Sequence, residues 1–236
     1  MIRWAWLALV AGCASSNQGP DRLTVPSEGQ SFGAIRASVV NATQQGTRAI
    51  EIKDGERSAV LALPTLVARQ EFKTLVVVRV RADEVTPEAM ADEATARGST
   101  QDGAVVVVAP EDAVPLARIV ALVDALKRTG VTRGILAADT AEASEFKGCP
   151  LPPGNWRAES YTVEMKIDFD VGGRPSVVRL LESPGADWTG AAVTCGLRQR
   201  LPPDAKCKNA EGEIVDPPCS QKRRVRFFPH APPRSS

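Results

Sequence analysis

The chain of 236 residues holds a single histidine, His230, six residues from its C-terminus. That near-absence excludes a hydrolase built on a histidine base and a zinc centre built on several imidazoles. Aromatic residues make up only 5 % of the sequence, so the cores must be assembled from small aliphatic side chains. Neither sign of charge prevails: 29 Lys and Arg stand against 28 Asp and Glu, so no overall field attracts nucleic acid. No uninterrupted apolar run reaches the roughly 18 residues that a spanning helix requires. There is no G-x-S-x-G elbow, phosphate loop or dinucleotide fingerprint, and Ser58, Ser144 and Ser183 stand in no nucleophile context. Hence no cofactor is expected, and the chain reads as non-enzymatic.

What is present begins with an address. Arg3 supplies a positive start, Trp4 to Gly12 carry no charge, and Leu9-Val10-Ala11-Gly12 lead into Cys13. The run is too short to span a bilayer and has the composition of a secretory signal. The motif resembles the lipobox of bacterial lipoproteins, in which small residues let an extended backbone enter a peptidase cleft and only a thiol can accept the diacylglyceryl group. The resemblance implies cleavage before Cys13 and a lipid anchor on Cys13. Ala14, rather than Asp, after the cysteine implies the outer membrane, with the mature chain facing the periplasm. The remainder then divides into a polar tether over 13–31, a domain over 32–146 and a cysteine-bearing domain over 147–236.

Four further cysteines, Cys149, Cys195, Cys207 and Cys219, all lie in the last part of the chain. In an oxidising compartment an even number favours pairing. Three connectivities are open. Cys207–Cys219, which closes a Gly/Pro-rich loop, together with Cys149–Cys195, is preferred. A metal centre is not expected, because the cysteines are separated by 45, 11 and 11 residues and form no knuckle.

Periodicity gives the fold class, α+β. Ala49–Lys53 and Ser58–Leu63 read as strands about an Asp54-Gly55 turn. Leu75–Arg81 is a β-branched strand, and Thr86-Pro87-Glu88 opens a helix that ends near Gly98. Ala104–Ala109 carries four consecutive valines, as a strand covered on both faces would. Leu116, Ile119, Val120, Val123 and Leu126 recur at helical spacing ahead of Gly130, and Val131–Ala138 is a further strand. This makes the first domain a βαβ-containing mixed sheet.

Beyond a Pro-rich linker, Tyr161, Val163, Met165, Ile167 and Phe169 alternate with polar residues, so Asp168 and Asp170 are expected to face solvent. Val177–Leu181 returns, a helix runs from about Asp187 to Leu201, and Arg223–Phe228 closes a ββαβ domain. Lys222, Arg223, Arg224 and Arg226 read as the solvated face of an edge strand, with Phe227 and Phe228 in the core.

Residues 101–138, with Val114-Pro115-Leu116, Val123-Asp124-Ala125-Leu126-Lys127 and Gly130-Val131, resemble the periplasmic domain of the ExbD/TolR family. That resemblance implies docking to motor-like components. It carries no proton translocation, because no membrane helix with an embedded acid accompanies it. Residues 161–229, with Asp170-Val171-Gly172-Gly173, Glu182-Ser183-Pro184-Gly185, Ala191-Ala192-Val193 and Phe227-Phe228, look like the C-terminal domain of the TonB family. It implies that Arg224, Val225, Arg226, Phe227 and Phe228 form a strand that takes a partner segment by β-addition. The expected partners are envelope proteins of a Ton/Tol-type system, either motor subunits or an outer-membrane transporter. A structural lipoprotein that binds peptidoglycan or outer-membrane proteins without a motor is the alternative.

Overall fold

A computed structural model describes residues 21–63, 73–82, 85–137 and 160–185, and all of 188–228 except 190–191, 193–194, 198, 203 and 209–212. The elements run β1 (Arg22–Pro26), α1 (Phe32–Gln44), β2 (Ala49–Asp54), β3 (Arg57–Ala62), β4 (Thr74–Val80), α2 (Pro87–Ala96), β5 (Ala104–Pro110), α3 (Leu116–Arg128), β6 (Gly134–Leu136), β7 (Tyr161–Phe169), β8 (Pro175–Glu182), β9 (Cys207–Lys208), β10 (Ile214–Val215) and β11 (Cys219–Phe227). The fold is α+β. Nine strands form one mixed sheet in the order β1-β2-β3-β6-β5-β4-β8-β7-β11, and β9 and β10 make a separate two-stranded ribbon.

The centre of the sheet is made by the valine-rich strands. β4 and β5 pair in parallel along their whole length, and every residue of β5 is buried, as a parallel strand covered on both faces requires. One face packs Val76, Val78, Val106, Val108, Ile50, Ile52 and Leu61 against all three helices. The opposite face carries Leu75, Val77, Val105, Val107 and Ile135 into a second core with Val163, Met165, Ile167, Phe169, Trp188 and Phe227. Trp188, Thr189, Ala192 and Cys195–Leu197 are helical on this side. There the Trp188 indole stacks on Tyr161 at a centroid distance of 4.1 Å.

β4 joins the two halves of the chain. It pairs antiparallel with β8 through Thr74↔Arg179, Leu75↔Val178 and Val76↔Val177 only. The next positions of β8 are Ser176 and Pro175, where β8 shifts register against β7 and leaves the β4 ladder. β4 therefore continues to Val80 beside β5 alone.

Two elements are stronger than the sequence suggests. Arg22–Pro26, assigned to the tether, is strand β1, which pairs in parallel with β2. α1 falls in the least legible stretch: it has no side-chain N-cap, no acid in its first turn and no base in its last. Tertiary contacts replace those signals. Phe32, Ile35, Val39 and Ala42 are buried on one face. The Phe32 and Gly33 amides donate to the Val114 and Asp112 carbonyls at 2.8 and 2.9 Å, and the Leu116 amide returns a bond to the Gln30 carbonyl at 2.9 Å. The N-termini of α1 and α3 thus satisfy part of each other's orphan backbone donors. Elsewhere the differences are local. The β2–β3 loop is Gly55-Glu56, one residue later than expected, because Asp54 pairs with Arg57 and Gly55 takes the positive φ of 60°. β6 is a short strand rather than the eight-residue run expected from Val131, since Val131 itself is buried in the helical core.

At the β1 edge, the Ser27 hydroxyl donates to Asp54 Oδ1 at 2.7 Å. This bond first, and the neighbouring Arg57 second, hold the Asp54 carboxyl below its ordinary value of 3.8. A depressed carboxyl adds stability above the unfolded-state value and loses it as pH falls through the lower folded value. Ser27→Ala should raise the Asp54 pKa toward 3.8, read by carboxyl-carbon NMR titration. An unchanged titration would show that the hydroxyl does not set it.

The second core draws on strands from both halves, so its packing should couple them. Met165→Ala, at a fully buried position, should cost about 2–5 kcal/mol. Hydrogen exchange in β4 and β5 should accelerate together with that in β7. Acceleration confined to β7, β8 and β11 would show that the halves unfold independently.

Candidate functional site

Two features of the surface stand out: the far edge of the sheet, and a pair of clefts where β4 leaves β8. β11 is the terminal strand of the sheet and pairs antiparallel with β7 over nine residues, from Cys219↔Phe169 to Phe227↔Tyr161. Among the described residues no strand pairs with its outer side. Alternation places Ser220, Lys222, Arg224 and Arg226 on one face of β11, and Val225 and Phe227 on the other. Phe227 is 3 % exposed, whereas Phe228, expected in the core, is 50 % exposed. Consecutive strand residues point to opposite faces, so a Phe-Phe pair cannot bury both rings in one core. On the polar face Arg224 pairs with Glu164, and Arg179 pairs with Asp168, which also accepts from Ser220.

The cysteines follow the preferred pairing where they are described. Cys207 and Cys219 are bonded, at a Cα separation of 5.8 Å, which fastens β9 to the first residue of β11. Cys195 is 1 % exposed and disulfide-bonded. Cys13 and Cys149 lie outside the described residues.

The clefts lie at the carboxyl ends of β4 and β5, the end at which parallel sheets commonly receive ligands. One, of about 230 Å³, is lined by Val77, Val85, Met90 and Ala94 together with Arg79, Arg81, Arg97, Arg118, Glu93 and Asp170. The other, of about 240 Å³, is lined by Arg36, Arg79, Arg174, Arg200, Glu111 and Asp112. Arg79 belongs to both. Because β8 has parted from β4, the Val77 carbonyl takes a donor from Arg97 at 3.4 Å, and Arg79 reaches across to the Pro175 carbonyl at 2.8 Å.

Asp170, expected to face solvent, sits in this gap. It has left the strand alternation for the β7–β8 turn, where its Oδ1 accepts from the Gly172 and Arg174 amides, both at 2.9 Å. Its Oδ2 lies 3.6 Å from Arg79 Nε, with both side chains less than a third exposed.

Each carboxylate in the clefts faces an arginine: Glu93 with Arg97, Asp170 with Arg79, Glu111 with Arg81 and Asp112 with Arg36. Among the described residues seven arginines and four carboxylates line the two clefts, and Arg118, Arg174 and Arg200 have further interactions of their own; the whole chain carries a net charge of +1. Burial, reinforced by Arg174 and Arg200 and opposed by Asp170, pushes the Arg79 guanidinium below its ordinary range. Burial, the first of these causes, would penalise an incoming anion as well; only the neighbouring Arg174 and Arg200 charges favour one.

No sequence motif announces this cluster, because its arginines come from α1, β4, α2, α3 and the segments after β7 and around Arg200. The one local signal is the Asp170-Val171-Gly172-Gly173 turn that carries Asp170. Among the described residues no group of His, Cys, Asp and Glu is placed to hold a metal ion, and no helix is long and apolar enough to cross a membrane. No family model, curated protein or solved structure matches the chain.

The double variant Cys207→Ser/Cys219→Ser should lower stability by about 2–3 kcal/mol, as expected for a loop of this size. Hydrogen exchange should rise in β9 and β10 while the β7–β11 pairs stay protected. Loss of protection throughout β11 would instead make the disulfide a condition for that strand.

Proposed function

We propose that the mature chain is a non-catalytic interaction module of the bacterial envelope, held to a membrane by a lipid on Cys13, that takes a segment of a partner protein on the outer side of β11. The observation that carries the reading is the position of β11: a nine-residue strand at the end of the sheet, whose outer side pairs with no strand among the described residues and could template an added one. Alternating cations on one face of β11 would give such an added strand its register and discourage indiscriminate pairing.

The lipobox and the TonB-like and ExbD/TolR-like stretches support placing this module beside a Ton/Tol-type energy-coupling system, on the periplasmic face of the outer membrane. In this reading the units 32–146 and 147–236 act as two domains with separate partners. The first docks to motor components and the second binds the segment, although their strands share one sheet. The cleft carboxylates are engaged by arginines, which favours binding over proton transfer.

Geometry supports the tether as well. β1, the first strand after the proposed anchor, and β11 are opposite ends of the sheet. Eight inter-strand spacings of about 4.8 Å put them roughly 38 Å apart along it. An anchor near β1 would leave β11 pointing toward its partner. The same fold would also serve a structural lipoprotein that holds peptidoglycan or outer-membrane proteins without a motor.

Photo-crosslinkers placed at Lys222, Arg224 and Arg226 in cells, with Lys53 on β2 as the control position, separate these readings. Motor subunits or an outer-membrane transporter attached through the β11 positions, and lost with Cys13→Ala, are the expected result. Peptidoglycan fragments or abundant porins alone would sink the energy-coupling reading in favour of the structural one.

A further inference from the structure

The arginine clefts are untouched by the β11 reading, and their composition asks for a ligand of definite chemistry. Each cleft is smaller than the roughly 300–1,000 Å³ of a drug- or cofactor-sized site, so it suits one functional group and an adjacent side chain. Arg79, Arg81, Arg97 and Arg118 surround an apolar wall of Val85, Met90 and Ala94. The guanidinium fork matches a planar carboxylate, and the wall offers an apolar neighbour a dry contact. Phosphate is less well served. Phosphate sites commonly use backbone amides at a helix start. Here the Phe32, Gly33 and Leu116 amides are already given to the Val114, Asp112 and Gln30 carbonyls, and Thr86 Oγ1 accepts the Ala89 amide at the start of α2.

From this we propose that the paired clefts meeting at Arg79 bind a carboxylate side chain of an acidic peptide segment, with an apolar neighbour seated on Val85 and Met90. Arg79 is the centre of the site. Already held by Asp170 and by the Pro175 carbonyl, its position is fixed before the ligand arrives. Glu111 and Asp112 act as internal competitors that an incoming carboxylate displaces from Arg81 and Arg36. The inference deepens the interaction reading by naming the chemistry of a docking segment, but it concerns a surface separate from β11.

The test uses the purified full chain in detergent at constant ionic strength, titrated with acetyl-Glu-Leu-Glu-Leu-amide. Acetyl-Gln-Leu-Gln-Leu-amide serves as the neutral control and inorganic phosphate as the competitor. Saturable binding of the acidic peptide is expected, with the neutral peptide and the Arg79→Gln variant each weaker by about tenfold or more. Arg81→Gln, at a half-exposed position that folding tolerates, should also weaken it. Glu111→Gln, by removing a competitor, should strengthen it. Equal affinity for the two peptides, or indifference to both Arg81→Gln and Glu111→Gln, would overturn the proposal. Displacement of the peptide by phosphate at lower concentration than the peptide itself requires would overturn it in favour of a phosphate site. Because no envelope partner enters the assay, failure here would leave crosslinks at β11 standing, and loss of those crosslinks would leave peptide binding standing.

Discussion

Three backbone pairs between β4 and β8 hold the two halves of this protein in one sheet. Their effect exceeds their number, because β4 is buried on both faces and pairs with β5 along its whole length. Docking β8 onto β4 brings Val178 beside Leu75 on one face and Val177 beside Val76 on the other. Each side of the seam therefore feeds a different core, one with the three helices and one with Trp188 and Phe227. The pairing ends at Val177, where β8 shifts register against β7 ahead of Pro175, and that termination is as consequential as the pairing. It lets β4 and β8 diverge, exposes the Val77 carbonyl to Arg97, and leaves a gap that Arg79 bridges to Pro175 and Asp170.

Legibility in the sequence followed the physics of each element. Strands with one clear period were readable: β7 alternates strictly, and the valine run of β5 signals burial on both faces. α2 was readable because its start is written locally in Thr86, Pro87 and Glu88. α1 was not, since its N-terminal amides are satisfied by carbonyls of the β5–α3 loop and its face is rich in β-branched and small polar residues of modest helix propensity. β1 is short, and it becomes a strand only by pairing with β2. Asp170 went astray because the period was carried one step past the strand that justified it, and Phe228 because the period was not applied to the Phe-Phe pair.

The arginine clefts were beyond sequence reading for a different cause. Their members lie in segments far apart in the chain: Arg97 meets Glu93 within one helical turn, whereas Arg36, Arg79 and Arg81 meet acids of other elements. Topology turns them into a cluster: the carboxyl ends of β4 and β5, the start of α1, the last turns of α2 and the β7–β8 turn converge on one rim. A nearly neutral chain thereby acquires a concentrated positive site without any basic run, and the screening length of about 8 Å at physiological salt confines its influence to ligands already close by.

The two recognition surfaces differ in what they can discriminate. An added strand on β11 draws affinity from backbone groups common to all peptides, so selectivity must come from alternate side chains meeting Lys222, Arg224 and Arg226. The clefts behave in the opposite way. In the proposed site a neutral segment would gain nothing from guanidinium groups that already have their own carboxylates, and a large one would be rejected by size. Were the chain anchored as proposed, it would meet many extended segments at high local concentration. Under those conditions a permissive edge alone would be occupied indiscriminately. A second contact that demands a carboxylate at a fixed place would add selection, and the shared sheet would set the distance between the two surfaces.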